Sequence, residues 1–457
     1  MKQIFTLRLL VLLGMVFSFQ FSNAQCNTAG NGTNGNVHCL YTDSIHNCMY
    51  LGGGFQTSGM DTMNHCGYWN DSTYHPMNMM GHNGCNDSVW CFVMFNGDLY
   101  VGGNFTMAGG VPCNHIARWD GTSWFAVGDG FNEAVHALAV YNNQLYAGGE
   151  FTASGVTAIN YMASWNGSQW NQVDGGMNDD VEVLCVWDSV LCIGGDFTMA
   201  GSITVNRICT WDGVSFAALG SGFTTGMMGS CMVHSLCVYN GNLYAGGMFE
   251  HASGHDMHNL GMWNGSAWSS VGDLDGSSMG ENGVRTMCVY DGQLYVGGNF
   301  GSCGSVNANN LGCWNGSTWS SIGTGMNGEV KALAVYRNEL YMAGNFSSAA
   351  GTAVNNIARY SANTGIQSVQ TNGIYLSIYP NPATEFVQIK WENETAGSGT
   401  LVISDINGKI VFEQSTGILS PGSQLKHIAV KALSEGVYFL RLISGTVVSQ
   451  VQFEKIK

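Results

Sequence analysis

Charge is what this sequence has least of. Only 10% of its 457 residues are charged, against about 25% in an ordinary soluble domain. Basic residues are the scarcer kind: 15 Lys and Arg face 31 Asp and Glu, a formal net charge of -16. So few cations make a poor ligand for phosphate backbones, and no nucleic acid partner is expected. There are five prolines against 64 glycines. Low charge with abundant Gly, Asn, Ser and Trp excludes coiled coils and helical bundles. Beyond the N-terminus no apolar run is long enough to span a bilayer, so no transmembrane segment is expected. Phosphate-binding and dinucleotide-binding glycine loops, G-x-S-x-G and H-E-x-x-H are missing too. Yet 45% of the residues are hydrophobic, enough for a large buried core.

The first residues read as an address. Lys2 and Arg8 are basic, Leu9 to Phe21 is almost wholly apolar, and Ser22-Asn23-Ala24 supplies small residues at a cleavage site. Residues 1–24 are therefore expected to be a secretory signal peptide. Residues 25–36 are rich in Gly, Asn and Thr and read as an N-terminal loop.

From there the chain repeats itself. MYLGGGF begins at Met49, LYVGGNF at Leu99, LYAGGEF at Leu145 and LCIGGDF at Leu191. LYAGGMF at Leu243, LYVGGNF at Leu294 and LYMAGNF at Leu340 follow. The seven copies lie 50, 46, 46, 52, 51 and 46 residues apart. An alternating apolar run and a two-residue turn precede most copies, as in Leu236–Tyr239 before Asn240-Gly241. Asn-Gly and Asp-Gly favour the positive dihedrals of a tight hairpin. A second hairpin follows in five units, with aromatics flanking Asp-Gly or Asn-Gly, as in IARWDGTSW from Ile116 and LGMWNGSAW from Leu260; unit 1 has a weaker version from Cys66 to Tyr74, and unit 7 stops at Ile357–Tyr360 without the second aromatic.

Four strands per period, repeated seven times, predict a seven-bladed β-propeller over residues 37–370. A single such sheet cannot bury both its faces, and radial packing gives each face a partner. The Gly-Gly pairs would let backbones approach where blades converge, and the tryptophans would fill the space between blades. Blade 7 clearly supplies three strands. With Ile366–Val369 as a weak fourth, sequential blades are expected rather than closure by a strand from the N-terminus. The repeat resembles the kelch-like, galactose-oxidase-type propellers of secreted bacterial proteins, a likeness that implies fold but not activity.

Beyond Tyr360 the texture changes. Residues 361–373 read as a polar linker. The segment 374–457 has no cysteine and balances seven acidic with seven basic residues. Strands are expected at 386–391, 400–405, 409–414, 436–442 and 446–453, with Asn407-Gly408 as a turn. Together they predict a small immunoglobulin-like β-sandwich over residues 371–457. LSIYPNPAT from Leu376, VISDINGKIV from Val402 and GVYFLRL from Gly436 resemble the type A sorting domain of type IX secretion. The resemblance carries Tyr379, Pro380, Asn381, Pro382, Asp405, Gly408, Gly436 and Tyr438 as sorting-motif residues. It implies that residues 374–457 engage the type IX secretion machinery and that the protein crosses the outer membrane to the cell surface or medium.

Candidates for chemistry are few. The 15 cysteines all precede residue 314. An exported chain can form disulfides, but several cysteines, such as Cys185, Cys237, Cys288 and Cys209, fill columns that hold small apolar residues in other repeats. Cys185 and Cys192 would face each other as a hydrogen-bonded pair, which disfavours a disulfide. His251, His255 and His258 cluster with Glu250 and Asp256 and could hold a divalent cation, the one cofactor left open. His65, His75 and His82 lie near Met77, Met79 and Met80, a set with some copper character, though methionine is also an ordinary core filler. Glu150 and Asp196 share the column after Gly-Gly in adjacent repeats and are the candidate catalytic carboxylates. The expected function is a surface or secreted binding, adhesion or scaffold module for a glycan or protein ligand. The alternative is a secreted carbohydrate-active enzyme.

Overall fold

A computed structural model describes residues 26–225, 231–275, 283–361, 376–379, 383–393, 397–405, 409–419, 422–444 and 447–456. Every regular element among them is a β-strand. The chain divides between residues 362 and 363 into two compact units.

The first unit contains seven four-stranded antiparallel sheets. Sheet 1 comprises Val37–Asp43, Cys48–Gly53, Cys66–Trp69 and Tyr74–Pro76, in that order. The innermost strands of sheets 2 to 7 are Val89–Phe95, Val135–Tyr141, Val181–Trp187, Met232–Tyr239, Gly283–Tyr290 and Glu329–Tyr336. Each lies against its neighbour in sequence, and the seventh lies against the first. The sheets thus form a ring, which is a β-propeller. The close approach at Gly-Gly is real. A Cβ on Gly102 would sit 2.7 Å from Cγ1 of Val135 in the next innermost strand, and one on Gly103 would sit 2.2 Å from the Ser88 carbonyl oxygen.

Closure of the ring differs from expectation. Cys26–Thr28, which reads as loop, is a strand and supplies the fourth strand of sheet 7. Cys26 pairs with Tyr360 and Thr28 with Ala358. Three residues are too few for a visible alternation, and Cys-Asn-Thr has no strand signature. The outer edge of Ile357–Tyr360 nevertheless offers unpaired backbone groups, and the N-terminal segment satisfies them. The segment 366–369 lies outside the described residues.

Side chains stitch neighbouring sheets together at the same positions. The second tryptophan of the aromatic hairpin donates its indole N–H to the end of the preceding sheet: Trp124 to the Met77 oxygen at 3.2 Å, Trp170 to Val127 at 3.1 Å and Trp268 to Leu219 at 3.0 Å. In sheet 1 the Tyr74 hydroxyl takes this role and reaches Ala29 at 2.7 Å, just after the closing strand. The tryptophans therefore fill space and tie sheets together at once.

The second unit holds a three-stranded sheet, Leu376–Tyr379, Phe386–Asn393 and Gly422–Ala429, and a four-stranded one. The latter comprises Ile410–Leu419, Gly397–Asp405, Gly436–Ser444 and Val447–Lys455. Both sheets contribute to one core, including Ile389, Trp391, Ile403, Leu440 and Phe453. Two strands were not legible in the sequence: Leu376–Tyr379, which ends at a Pro-rich motif, and Gly422–Ala429, whose polar residues hide its alternation. The Asn407-Gly408 turn lies outside the described residues, but the strands flanking it pair antiparallel.

Candidate functional site at the propeller axis

Each innermost strand of the propeller carries a β-bulge at the same place. Pairing skips one residue after the first core valine, between Val37 and Cys39, Val89 and Cys91, and Val135 and Ala137. The same skip falls between Val181 and Val183, Val233 and Ser235, Val284 and Thr286, and Val330 and Ala332. The skipped residues are His38, Trp90, His136, Glu182, His234, Arg285 and Lys331. A bulge re-aims the side chain it frees. Here seven such side chains meet around the ring axis.

They form a nearly continuous collar. The rings of His38 and Trp90 lie 4.1 Å apart, and Trp90 and His136 lie 5.9 Å apart. His136 places Nδ1 3.1 Å from Glu182 Oε1, and Glu182 Oε2 lies 3.9 Å from His234 Nδ1. Arg285 donates to His234 Nε2. Because a guanidinium only donates, this nitrogen accepts, and the His234 proton sits on Nδ1 facing Glu182. Arg285 and Lys331 both reach Glu329, at 2.9 and 3.1 Å. Lys331 is also close enough to His38 to disfavour its protonation.

Electrostatics divide the collar into arcs. His136 is held between two carboxylates, Glu182 on Nδ1 and Glu150 on Nε2, each at 3.1 Å. Burial opposes its charge, but the bonds to Glu150 and Glu182 outweigh burial and lift its pKa to about 10. Burial likewise opposes the charge on Glu182, yet its bonds to His136 and His234 hold it well below the usual carboxylate range. Glu150 is held ionised by the bond from His136. On the opposite side His38 stays neutral, its pKa pushed down to about 4 by burial and then by Lys331.

Beside Glu182 lie two carboxyl groups with the reverse tendency. Asp180 is raised to about 6 by burial and by Glu150, Asp179 and Glu182. Asp196 is raised to about 7, mainly by burial and then by Glu182 and Asp179. Its Oδ1 is buried with no hydrogen-bond partner, as are Nδ1 of His38 and Nε1 of Trp90. The axis thus offers an acidic arc, a basic arc at Arg285 and Lys331, and an aromatic arc at His38 and Trp90. Such a set can take hydroxyls and charged groups of a polar ligand.

The sequence candidates fall as follows. Glu150 and Asp196 both come to this axial site, with Glu182 within charge range of each. His251 bonds Asp256 at 3.0 Å across a two-stranded connector hairpin, with His255 exposed next to it. Among the described residues no three His, Cys, Asp or Glu side chains gather as a metal site. His65 contacts the Gly53 carbonyl, His75 stacks on Tyr68, and His82 is exposed. Met77 is buried while Met80 is 96% exposed, so the histidine–methionine set is dispersed. The collar itself was missed. Its signal was a single column, the residue after the first valine of each unit, that is large and polar or aromatic in every repeat yet varies among His, Trp, Glu, Arg and Lys.

In the second unit, Asp405 accepts the Lys409 N–H on its Oδ1 at 3.0 Å. Gly436 has φ +146°, a conformation that favours glycine. Tyr438 is buried, stacks on Phe453 and donates its hydroxyl to the Ser434 oxygen at 2.9 Å. The backbone of Tyr379 pairs with Gln388. Pro380, Asn381, Pro382 and Gly408 lie outside the described residues.

Residues 377–455 match the family described as a secretion system C-terminal sorting domain. Residues 96–119, in sheet 2, match a beta-propeller domain of unknown function, DUF5122. The chain therefore joins a β-propeller to a sorting domain of type IX secretion, and it is a secreted, cell-surface protein. No curated protein matches it. Among solved structures it is similar to PorZ, an essential bacterial surface component of the type-IX secretion system of Porphyromonas gingivalis. Identity there is 14% and the TM-score 0.46, covering 94% of this chain and 61% of that one. A Bacillus subtilis glycoside hydrolase family 43 arabinoxylan arabinofuranohydrolase shares 12% identity at a TM-score of 0.23, covering 79% of this chain and 93% of that one. At such scores neither likeness bears on function. No helix among the described residues is long and apolar enough to cross a membrane.

Proposed function

We propose that this chain is a cell-surface binding or scaffold module. In this reading residues 1–24 are a signal peptide and residues 374–457 engage the type IX machinery through an immunoglobulin-like sandwich. The seven sheets are the blades of one kelch-like propeller over residues 37–370, closed by Cys26–Thr28. Its axial mouth receives a glycan or a polar segment of a protein ligand. The collar carries this reading. A repeat that served only as filler would not need large polar or aromatic side chains of five kinds at one bulge position, when the valine before them is the same in all seven units.

A glycan array read without added enzyme tests it. Specific hits are expected for the full chain, with loss of at least tenfold in affinity for Trp90→Ala at unchanged melting temperature. An array on which Trp90→Ala and the unchanged chain bind alike would remove the axis from the reading.

One observation favours a second reading, a polysaccharide-cleaving enzyme. Asp196 keeps its proton toward neutral pH while Glu150 is ionised, and carboxyl groups in opposite protonation states are what glycoside hydrolysis requires. Polysaccharide turnover that disappears in both Glu150→Gln and Asp196→Asn would replace the first reading with this one.

A further inference from the structure

Two buried thiols touch in sheet 1. Cys66 Sγ and Cys85 Sγ lie 3.9 Å apart and belong to one core cluster. Cys66 opens the third strand of sheet 1, opposite Gly52. Cys85 lies on the connector that leads to sheet 2 and bridges Ala108 in the short hairpin that links the second and third strands of that sheet. Their relative exposures are 0% and 3%.

The other repeats show what these two places ordinarily hold. The pair equivalent to Cys66 and Cys85 is Ile116 and Phe131 in sheet 2, within one core cluster. In sheet 3 it is Met162 and Met177, and in sheet 4 Ile208 and Phe223. Sheets 5 and 6 have Leu260 with Leu274 and Leu311 with Met326. All ten of these are large apolar side chains, while sheet 7 keeps Ile357 and has Thr33 at the second place. Only sheet 1 replaces both at once, and it replaces both with cysteine. Two thiols acting as fillers would leave this contact short of volume compared with a Met–Met or Ile–Phe pair. A covalent link offsets that loss without needing the volume.

We propose that Cys66 and Cys85 form a disulfide during export, fastening sheet 1 to the connector of sheet 2. The oxidant is a dithiol-disulfide oxidoreductase of the cell envelope, a compartment where disulfides persist. A thiolate of Cys66 attacks the oxidant's disulfide and releases one of its sulfurs as a thiol. The Cys85 thiolate then attacks Cys66 Sγ and releases the second. Two thiol protons and two electrons leave the chain, and the oxidant departs as a dithiol. Burial pushes the Cys85 thiol well up in the finished fold, so the exchange belongs to the stage before the sheets close. Once formed, the bond is out of reach of reductant.

The test uses full-length protein collected from the surface or medium of an exporting cell. It is unfolded in N-ethylmaleimide without reductant, digested and weighed. The expected product is one species joining the Cys66 and Cys85 peptides, two hydrogens lighter than their sum, with neither cysteine alkylated. Stoichiometric maleimide on both cysteines overturns the proposal. In Cys85→Ala, Cys66 should become alkylated, whereas in Cys185→Ala the joined peptides should persist. A Cys66 that stays blocked in Cys85→Ala has another partner and also overturns it. Should Cys85→Ala fail to fold, the mass of the unchanged chain still decides.

Discussion

The two units of this chain reach stability by different routes. Propeller sheets are built from short strands, from three to eight residues, and most sheets are tied to a neighbour by side chains at recurring positions. The sorting unit uses longer strands, mostly eight to ten residues, paired backbone to backbone around a core of Ile, Leu and Val. The propeller carries the whole charge imbalance and all 15 cysteines, while residues 374–457 are neutral and cysteine-free. The sorting unit also exposes large apolar residues such as Phe386, Ile410 and Leu425. The difference separates a self-tied ring, whose proposed site lies where its repeats differ, from a compact unit with apolar residues on its outer surface.

Removing the sorting unit gives the sharpest break in that comparison. A chain truncated after residue 373 is expected to leave no detectable protein on the cell surface. The propeller should still melt cooperatively when recovered from the periplasm. Cell fractionation with protease shaving reads the first half and thermal circular dichroism the second. Surface display of the truncated chain would remove the sorting role of residues 374–457, and an unfolded propeller would show that the ring depends on them.

Opening the ring should hurt only the propeller. Deleting residues 26–28 removes three strand pairings, the burial of Cys26 and the register of the Tyr74 bond to Ala29. The expected loss is about 3–5 kcal/mol in urea unfolding of the propeller. Tyr74→Phe, which removes only the bond to Ala29, should cost about 1 kcal/mol. An unchanged midpoint for the deletion would mean that sheet 7 is complete without its N-terminal strand.

Much of this was legible from periodicity. The Gly-Gly columns and the aromatic hairpins placed the strands of the propeller, because both recur in most of the repeats. What the sequence hid is whatever does not repeat or is too short to show a period. Cys26–Thr28 is three residues long, and Gly422–Ala429 alternates Leu425 with polar residues on an exposed face. The collar was hidden for a subtler reason. A bulge breaks the two-residue alternation, so His136 or Arg285 reads as an irregularity within a strand, not as the seventh part of a ring. Glu150 and Asp196 were visible because they sit beside a recurring motif, but their unlike protonation depends on Glu182 and His136, which only the closed ring brings near.

The smallest expected effect tests that last point, and it isolates the cost of the acidic arc. Asp196 has a folded pKa of about 7 against an ordinary 3.8, raised by burial and by Glu182 and Asp179. Between those values the folded chain holds a proton that the unfolded chain has released. Stability from this group is therefore fully present below pH 3.8, declines as pH rises, and is lost above about pH 7. Asn cannot ionise, so Asp196→Asn should remove this decline. At pH 8 the variant should be more stable by about 1 kcal/mol, a figure kept small because the side chain is partly solvated. At pH 4 the two chains should unfold at the same urea concentration. A variant equally stable or less stable at pH 8 would mean that Asp196 is paid back by a partner, and that the acidic arc is not held under charge repulsion. The sorting unit, with balanced charge, should show no matching dependence, so the effect belongs to the ring alone.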